Sequence, residues 1–114
     1  EYYQKAFERF EQVSDYVGMA RALENMGAMY HQKGEHDKAL DYFHRSLKIL
    51  ESSSIEGMIG VIKYNIGAGL LMKKQFDEAL KSSLESLSIS KMTGDKLLEC
   101  AVYLQIGKIH QKSA

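Results

Sequence analysis

No proline occurs in the 114 residues, so no ring breaks a helix or removes a backbone donor. Helix formers dominate and no alternating strand pattern appears, which points to an all-helical chain. Cys100 is the one cysteine. A single thiol excludes an intrachain disulfide framework and fits a reducing, cytoplasmic compartment. Net charge is missing as well: 15 basic residues balance 15 acidic ones, so no global field argues for nucleic acid or an anionic membrane as partner. No apolar run approaches the ~18 residues of a membrane-spanning helix, and the charged, amphipathic opening after Glu1 is not a signal peptide. What is present is an ordinary globular composition, 45% apolar and 26% charged, with length for one domain and a real core.

The chain also writes one line twice. Asn25 to Leu40 reads NMGAMYHQKGEHDKAL, and Asn65 to Leu80 reads NIGAGLLMKKQFDEAL. Setting 21–53 over 61–93 without gaps pairs Asn25/Asn65, Gly27/Gly67, Ala28/Ala68, Lys33/Lys73, Asp37/Asp77, Ala39/Ala79, Leu40/Leu80, Ser46/Ser86, Leu47/Leu87 and Ile49/Ile89. Gln105-Ile106-Gly107 falls a further 40 residues on, and Tyr3, Ala6, Phe7 and Phe10 lie 40 before Phe43, Ser46, Leu47 and Leu50. A fixed period over the whole chain is the signature of a solenoid of stacked repeats.

Each unit reads as two antiparallel helices. A-type helices are expected near 15–33, 56–73 and 95–112, and B-type helices near 1–13, 36–52 and 76–92, in the order B-A-B-A-B-A. Helical spacing carries both types, as in Leu23, Met26, Met29 and Tyr30 or Ala39, Phe43, Leu47 and Leu50. Gly34 punctuates the A–B turn, Asp37 and Asp77 suit the first turn of B, and Asp95 is an expected N-cap. Gly27, Gly67 and Gly107 recur at one register although each costs a helix interior about 1 kcal/mol. Close approach of a partner helix is the expected reason, with Ala39 and Ala79 as the facing small residues. The serine-rich stretch 81–90 keeps Leu80, Leu84 and Leu87 on one face and reads as a thin, closely packed B helix.

The order Leu23, Met26, Gly27, Tyr30, Ala39, Phe43, Ser46 resembles the tetratricopeptide-repeat signature, and the second copy keeps Ile66, Gly67, Ala79 and Ser86. Leu70 replaces its tyrosine and Ser83 its aromatic. The period of 40 departs from the usual spacing of about 34, and the proline common after B is absent. That spacing is similar to repeats in Pins/LGN-type polarity adaptors, bacterial peptide-sensing regulators and sensor arms of signalling proteins. The resemblance implies a right-handed alpha-alpha superhelix, a single array over 1–114 divided as 1–13, 14–53, 54–93 and 94–114. HEAT or armadillo arrays share a period near 40 but do not require this Gly/Tyr/Ala order.

The resemblance further implies a concave surface of A helices that binds an extended peptide or partner segment. The mapped positions are Arg21, Glu24, Asn25, Ala28 and Gln32, then Val61, Tyr64, Asn65, Ala68 and Met72, then Ala101, Leu104, Gln105 and Lys108. Asn25, Asn65 and Gln105 would form a ladder of amides, each able to donate and accept toward an extended backbone. Arg21 would meet a ligand carboxylate. Amides that only bond between neighbouring helices are the plainer reading.

Nothing points to catalysis. His31, His36, His44 and His110 show no metal-ligand spacing. Cys100 shares its register with Ala20 and Gly60 and reads as a packed thiol. The expectation is therefore no metal, no cofactor and no enzyme activity, with a protein or peptide as partner. A regulatory sensor arm of a larger signalling or transcription protein is the alternative. The chain starts on a B helix and stops on an A helix, as a piece cut from a longer array would. Tyr3, Phe7 and Phe10 at one end and Ile106 and Ile109 at the other are expected to lack partners, which makes head-to-tail self-association possible.

Overall fold

A computed structural model describes residues 2–12, 15–51 and 55–114. The repeat junctions expected at 13/14 and 53/54, and the side chain of Phe10, lie outside the described residues. Six helices occur among them: α1 (Tyr2–Gln12), α2 (Tyr16–Gln32), α3 (His36–Glu51), α4 (Glu56–Met72), α5 (Phe76–Thr93) and α6 (Lys96–Ser113). The order matches the expected B-A-B-A-B-A, and no described residue is in a strand. None of these helices is long and apolar enough to cross a membrane. The chain forms two compact units, Glu1–Ile55 and Glu56–Ala114. In the first, α2 packs between α1 and α3. In the second, α5 packs against both α4 and α6, and α4 also touches α6.

Local chemistry sets the helix ends. Asp95 Oδ1 accepts from Leu98 N–H at 3.0 Å, the expected N-cap, and Asp15 does the same for Gly18 at 3.0 Å. These bonds satisfy N–H groups that a helix start leaves without partners. Both A–B turns close with the same pair of bonds. Glu35 N–H donates to Tyr30 C=O at 2.9 Å and Gly34 N–H to His31 C=O at 3.0 Å, while Gln75 donates to Leu70 and Lys74 to Leu71, both at 2.9 Å. This 6→1 and 5→2 pattern needs a left-handed residue after the helix. Gly34 supplies it at φ 82°, but in the second unit Lys74 is forced to φ 63°.

In the first unit, Ala20, Leu23 and Met26 of α2 meet Ala39, Phe43 and Leu50 of α3 in the core. The recurrent serine is part of the packing. Ser46 Oγ donates to Ala20 C=O at 2.7 Å, and Ser86 Oγ donates to Gly60 C=O at 2.7 Å, one repeat later. Both serines are fully buried, and each such bond contributes about 1 kcal/mol net. The small residues at 20 and 60 are what let the hydroxyl reach the partner helix backbone.

The serine-rich stretch is a helix, as expected, but it turns a different face inward. The buried stripe of α5 is Ala79, Ser83, Ser86 and Ser90, whereas Leu84 is exposed and Leu80 and Leu87 are half-buried. The cause lies on α4, where Gly60, Gly67 and Gly69 are buried. A Cβ at Gly60 would lie 2.9 Å from Ile89 Cγ2, so the helices are too close for leucine between them. Each inward hydroxyl finds a carbonyl: Ser83 donates to Ala79 and Ser90 to Leu87, both at 2.8 Å. Among the described residues no buried side-chain nitrogen or oxygen lacks a partner, as buried polar groups require.

Candidate binding surface

On the first unit, α2 carries Arg21, Glu24, Asn25, Ala28 and Gln32 along one helical face, because intervals of three and four residues return to the same side. Arg21, Asn25 and Gln32 are exposed, and Glu24 and Ala28 are half-buried. Burial pushes the Glu24 carboxyl above its ordinary value, opposed by the neighbouring Arg21 charge. The face therefore offers a guanidinium fork and a primary amide within one turn, suited to a carboxylate and to a peptide backbone respectively.

On the second unit, Val61, Tyr64, Asn65 and Ala68 of α4 are half-buried, and Asn65 already has an interaction in the fold. Met72 is exposed at the end of that helix. On α6, Leu104 is 69% exposed, Lys108 is exposed and Ala101 half-buried.

Gln105 departs from the expected amide ladder: it is only 4% exposed. Its Nε2 donates to Ser83 Oγ at 2.8 Å and to Tyr64 C=O at 3.2 Å. The physical reason is a volume exchange between repeats. In the first unit the Phe43 ring covers Gly27, where a Cβ would meet ring carbons at 2.6 and 2.7 Å. In the second unit the residue at that register is Ser83, which is too small, and the Gln105 amide occupies the space over Gly67 instead, 2.6 Å from where a Cβ would be. Gln105 is thus a core residue of α6, in the buried stripe Leu98, Val102, Gln105 and Ile109. The three-rung ladder does not form.

Two further expectations fail on the same helix. Cys100 is exposed, not packed, because it lies off that stripe. Ile109 does not lack a partner: it is 1% exposed, covered within its own unit. Leu97 at the start of α6 was missed, yet it is 86% exposed and stands four residues before Ala101 and seven before Leu104, on the same face. Helical spacing alone would have found it. No group of three or more His, Cys, Asp or Glu side chains among the described residues is arranged to hold a metal.

Comparison with known proteins bears on the fold directly. Residues 1–52 match the tetratricopeptide-repeat family. Residues 1–52 are thus of tetratricopeptide type. The second unit repeats the Ser-to-carbonyl bond, the turn and the glycine register of the matched part, consistent with a tetratricopeptide-like helical repeat. Tetratricopeptide repeats generally mediate protein–protein interaction and are generally not catalytic. A curated relative from Bacillus subtilis (strain 168), response regulator aspartate phosphatase A, is 33% identical over 79 residues, 69% of this chain and 21% of the relative. The chain thus spans about a fifth of that relative's length.

Proposed function

We propose that this tetratricopeptide array is a non-catalytic, cytoplasmic interaction module, treated as one array over 1–114, that holds an extended segment of another protein along its A-helix faces. The exposed stripe Arg21, Asn25 and Gln32 on α2 carries the proposal. Its side chains are long, polar and solvent-accessible on a helix whose other face is committed to the core. Asn25 holds a ligand backbone by donating and accepting, and Arg21 meets a carboxylate one turn away. On the second unit, Val61, Tyr64, Asn65, Ala68 and Met72 of α4 offer contacts of apolar character, and Ala101, Leu104 and Lys108 of α6 add apolar and then basic ones. Gln105 is excluded. Nucleic acid and membrane are not partners in this reading, since charge is balanced.

A peptide-display selection against the folded chain, followed by Arg21→Ala and Asn25→Ala, tests it. Each variant is expected to lose about tenfold in affinity, one hydrogen-bonded contact's worth, with helical circular dichroism intact. Unchanged affinity in both variants with the fold preserved refutes the reading.

Similarity to response regulator aspartate phosphatase A favours a second reading, that the array is the regulatory arm of a longer signalling protein. The proposal also includes head-to-tail contact between copies. Tyr103, at the register of buried Leu23, is 49% exposed, and a Cβ at Gly107 would meet nothing within 4 Å. The α1 helix of a second copy, bringing Tyr3 to the register of Phe43, fits that face. Sedimentation that shows a monomer at all concentrations, or assembly unchanged by Tyr103→Glu, rules this contact out.

A further inference from the structure

The turn between α2 and α3 brings two histidines together that no helical spacing pairs. His31 and His36 are five residues apart, and their Nδ1 atoms lie 3.1 Å from each other with the rings edge-on at 61° and centroids 4.9 Å apart. Both side chains are half-buried. The turn is held by the Glu35-to-Tyr30 and Gly34-to-His31 backbone bonds, so the imidazoles are positioned by the main chain.

A neutral pair at this distance shares one proton: one Nδ1–H donates and the other Nδ1 accepts along a common line. With both rings in the Nε2–H tautomer, the two Nδ1 atoms instead present lone pairs 3.1 Å apart. Zinc–imidazole bonds run about 2.0–2.1 Å, which at tetrahedral angles places two ligating nitrogens roughly 3.3 Å apart. The observed separation is within a few tenths of an ångström of that value. Both neighbouring lysines are engaged by an aromatic ring. Lys33 and Lys38 direct their ammonium groups over the Tyr30 ring, at 5.7 and 5.3 Å from its centroid, and Lys38 also pairs with Glu35 at 3.4 Å.

The sister turn shows that the imidazoles are not needed for folding. Forty residues on, the same positions are Leu71 and Phe76, and the turn closes with the same two bonds. An apolar pair suffices there.

We propose that His31 and His36 form a two-nitrogen chelate for a borderline divalent transition cation such as Zn²⁺, with water completing the coordination. Imidazole suits zinc, copper and nickel, and binding requires both rings in the Nε2–H tautomer, so the proton of the donating Nδ1 moves to that ring's Nε2 and both imidazoles stay neutral. Two protein ligands make a clip and not a closed structural site, so the cation is exchangeable.

Zinc chloride titrated into the full 114-residue chain at neutral pH, followed by imidazole NMR and calorimetry, tests this. The first equivalent should shift the His31 and His36 resonances together, with His44 and His110 responding only to excess metal. The variant His31→Leu/His36→Phe carries the sister turn's residues and should keep the helical fold while weakening the first binding event at least tenfold. Imidazole resonances of His31 and His36 that stay unmoved at tenfold excess zinc overturn the proposal. So does an unchanged first event in the folded double variant.

Discussion

Glycine recurs at 27, 67 and 107, and the structure separates the three positions by what lies over each. An alanine Cβ at 27 would sit 2.6 Å from Phe43 Cε1, against an ordinary carbon–carbon contact of about 3.5–4.0 Å. The ring must move by roughly 1 Å, and Phe43 is 1% exposed with no space to retreat into. Overpacking of this kind costs about 1–3 kcal/mol, while replacing glycine by alanine inside a helix returns about 1 kcal/mol. At 107 only the second contribution operates, because nothing lies within 4 Å of the added carbon. Gly107→Ala is therefore expected to stabilise by up to about 1 kcal/mol, near 4 °C in melting temperature for a chain of this size. Gly27→Ala is expected to destabilise by about 1 kcal/mol, and subtracting the shared propensity gain isolates the overpacking cost. Urea unfolding followed by circular dichroism gives the totals. Site-resolved amide exchange assigns each to its own unit, since stacked repeats need not unfold together. Phe43→Leu in the Gly27→Ala background should recover part of the loss as a positive coupling. Gly27→Ala stabilising as much as Gly107→Ala would refute the account of the glycine register.

Lys74→Gly should stabilise the second unit by about 1 kcal/mol by relieving a left-handed backbone, and Gly34→Ala should cost the first unit a similar amount; thermal melts of each variant check both signs. Gln105→Ala removes two hydrogen bonds and leaves a cavity over Gly67, for a loss of about 2 kcal/mol, whereas affinity for a selected peptide should hold when measured well below the melting point. His31, being held below its ordinary pKa, binds fewer protons folded than unfolded, so stability should fall as pH drops through the unfolded-state value near 6.5. His31→Leu should flatten that part of the stability–pH curve; an unchanged slope would argue that His31 is not the group responsible.

Much of this protein is decided by short stretches of chain. The forty-residue period, the helix order and ends within about two residues, the cap at Asp95 and the turn at Gly34 all rest on interactions spanning a few residues, so they can be read without coordinates. Several features depended on which side chain arrives from another helix. Serines, not leucines, line the inner face of α5 because glycines on α4 bring the two helices close. Cys100 lies outside because the buried stripe of α6 runs through Leu98, Val102, Gln105 and Ile109. His31 and His36 meet only because the left-handed residue at Gly34 folds one helix end back over the next. The space above a recurring glycine is the clearest case. Phe43 fills it at 27, while at 67 the filler is Gln105, drawn from a helix 38 residues along the chain. Periodicity tells which face a residue occupies, but only three-dimensional packing determines which neighbour's volume and hydrogen-bonding groups that face must satisfy.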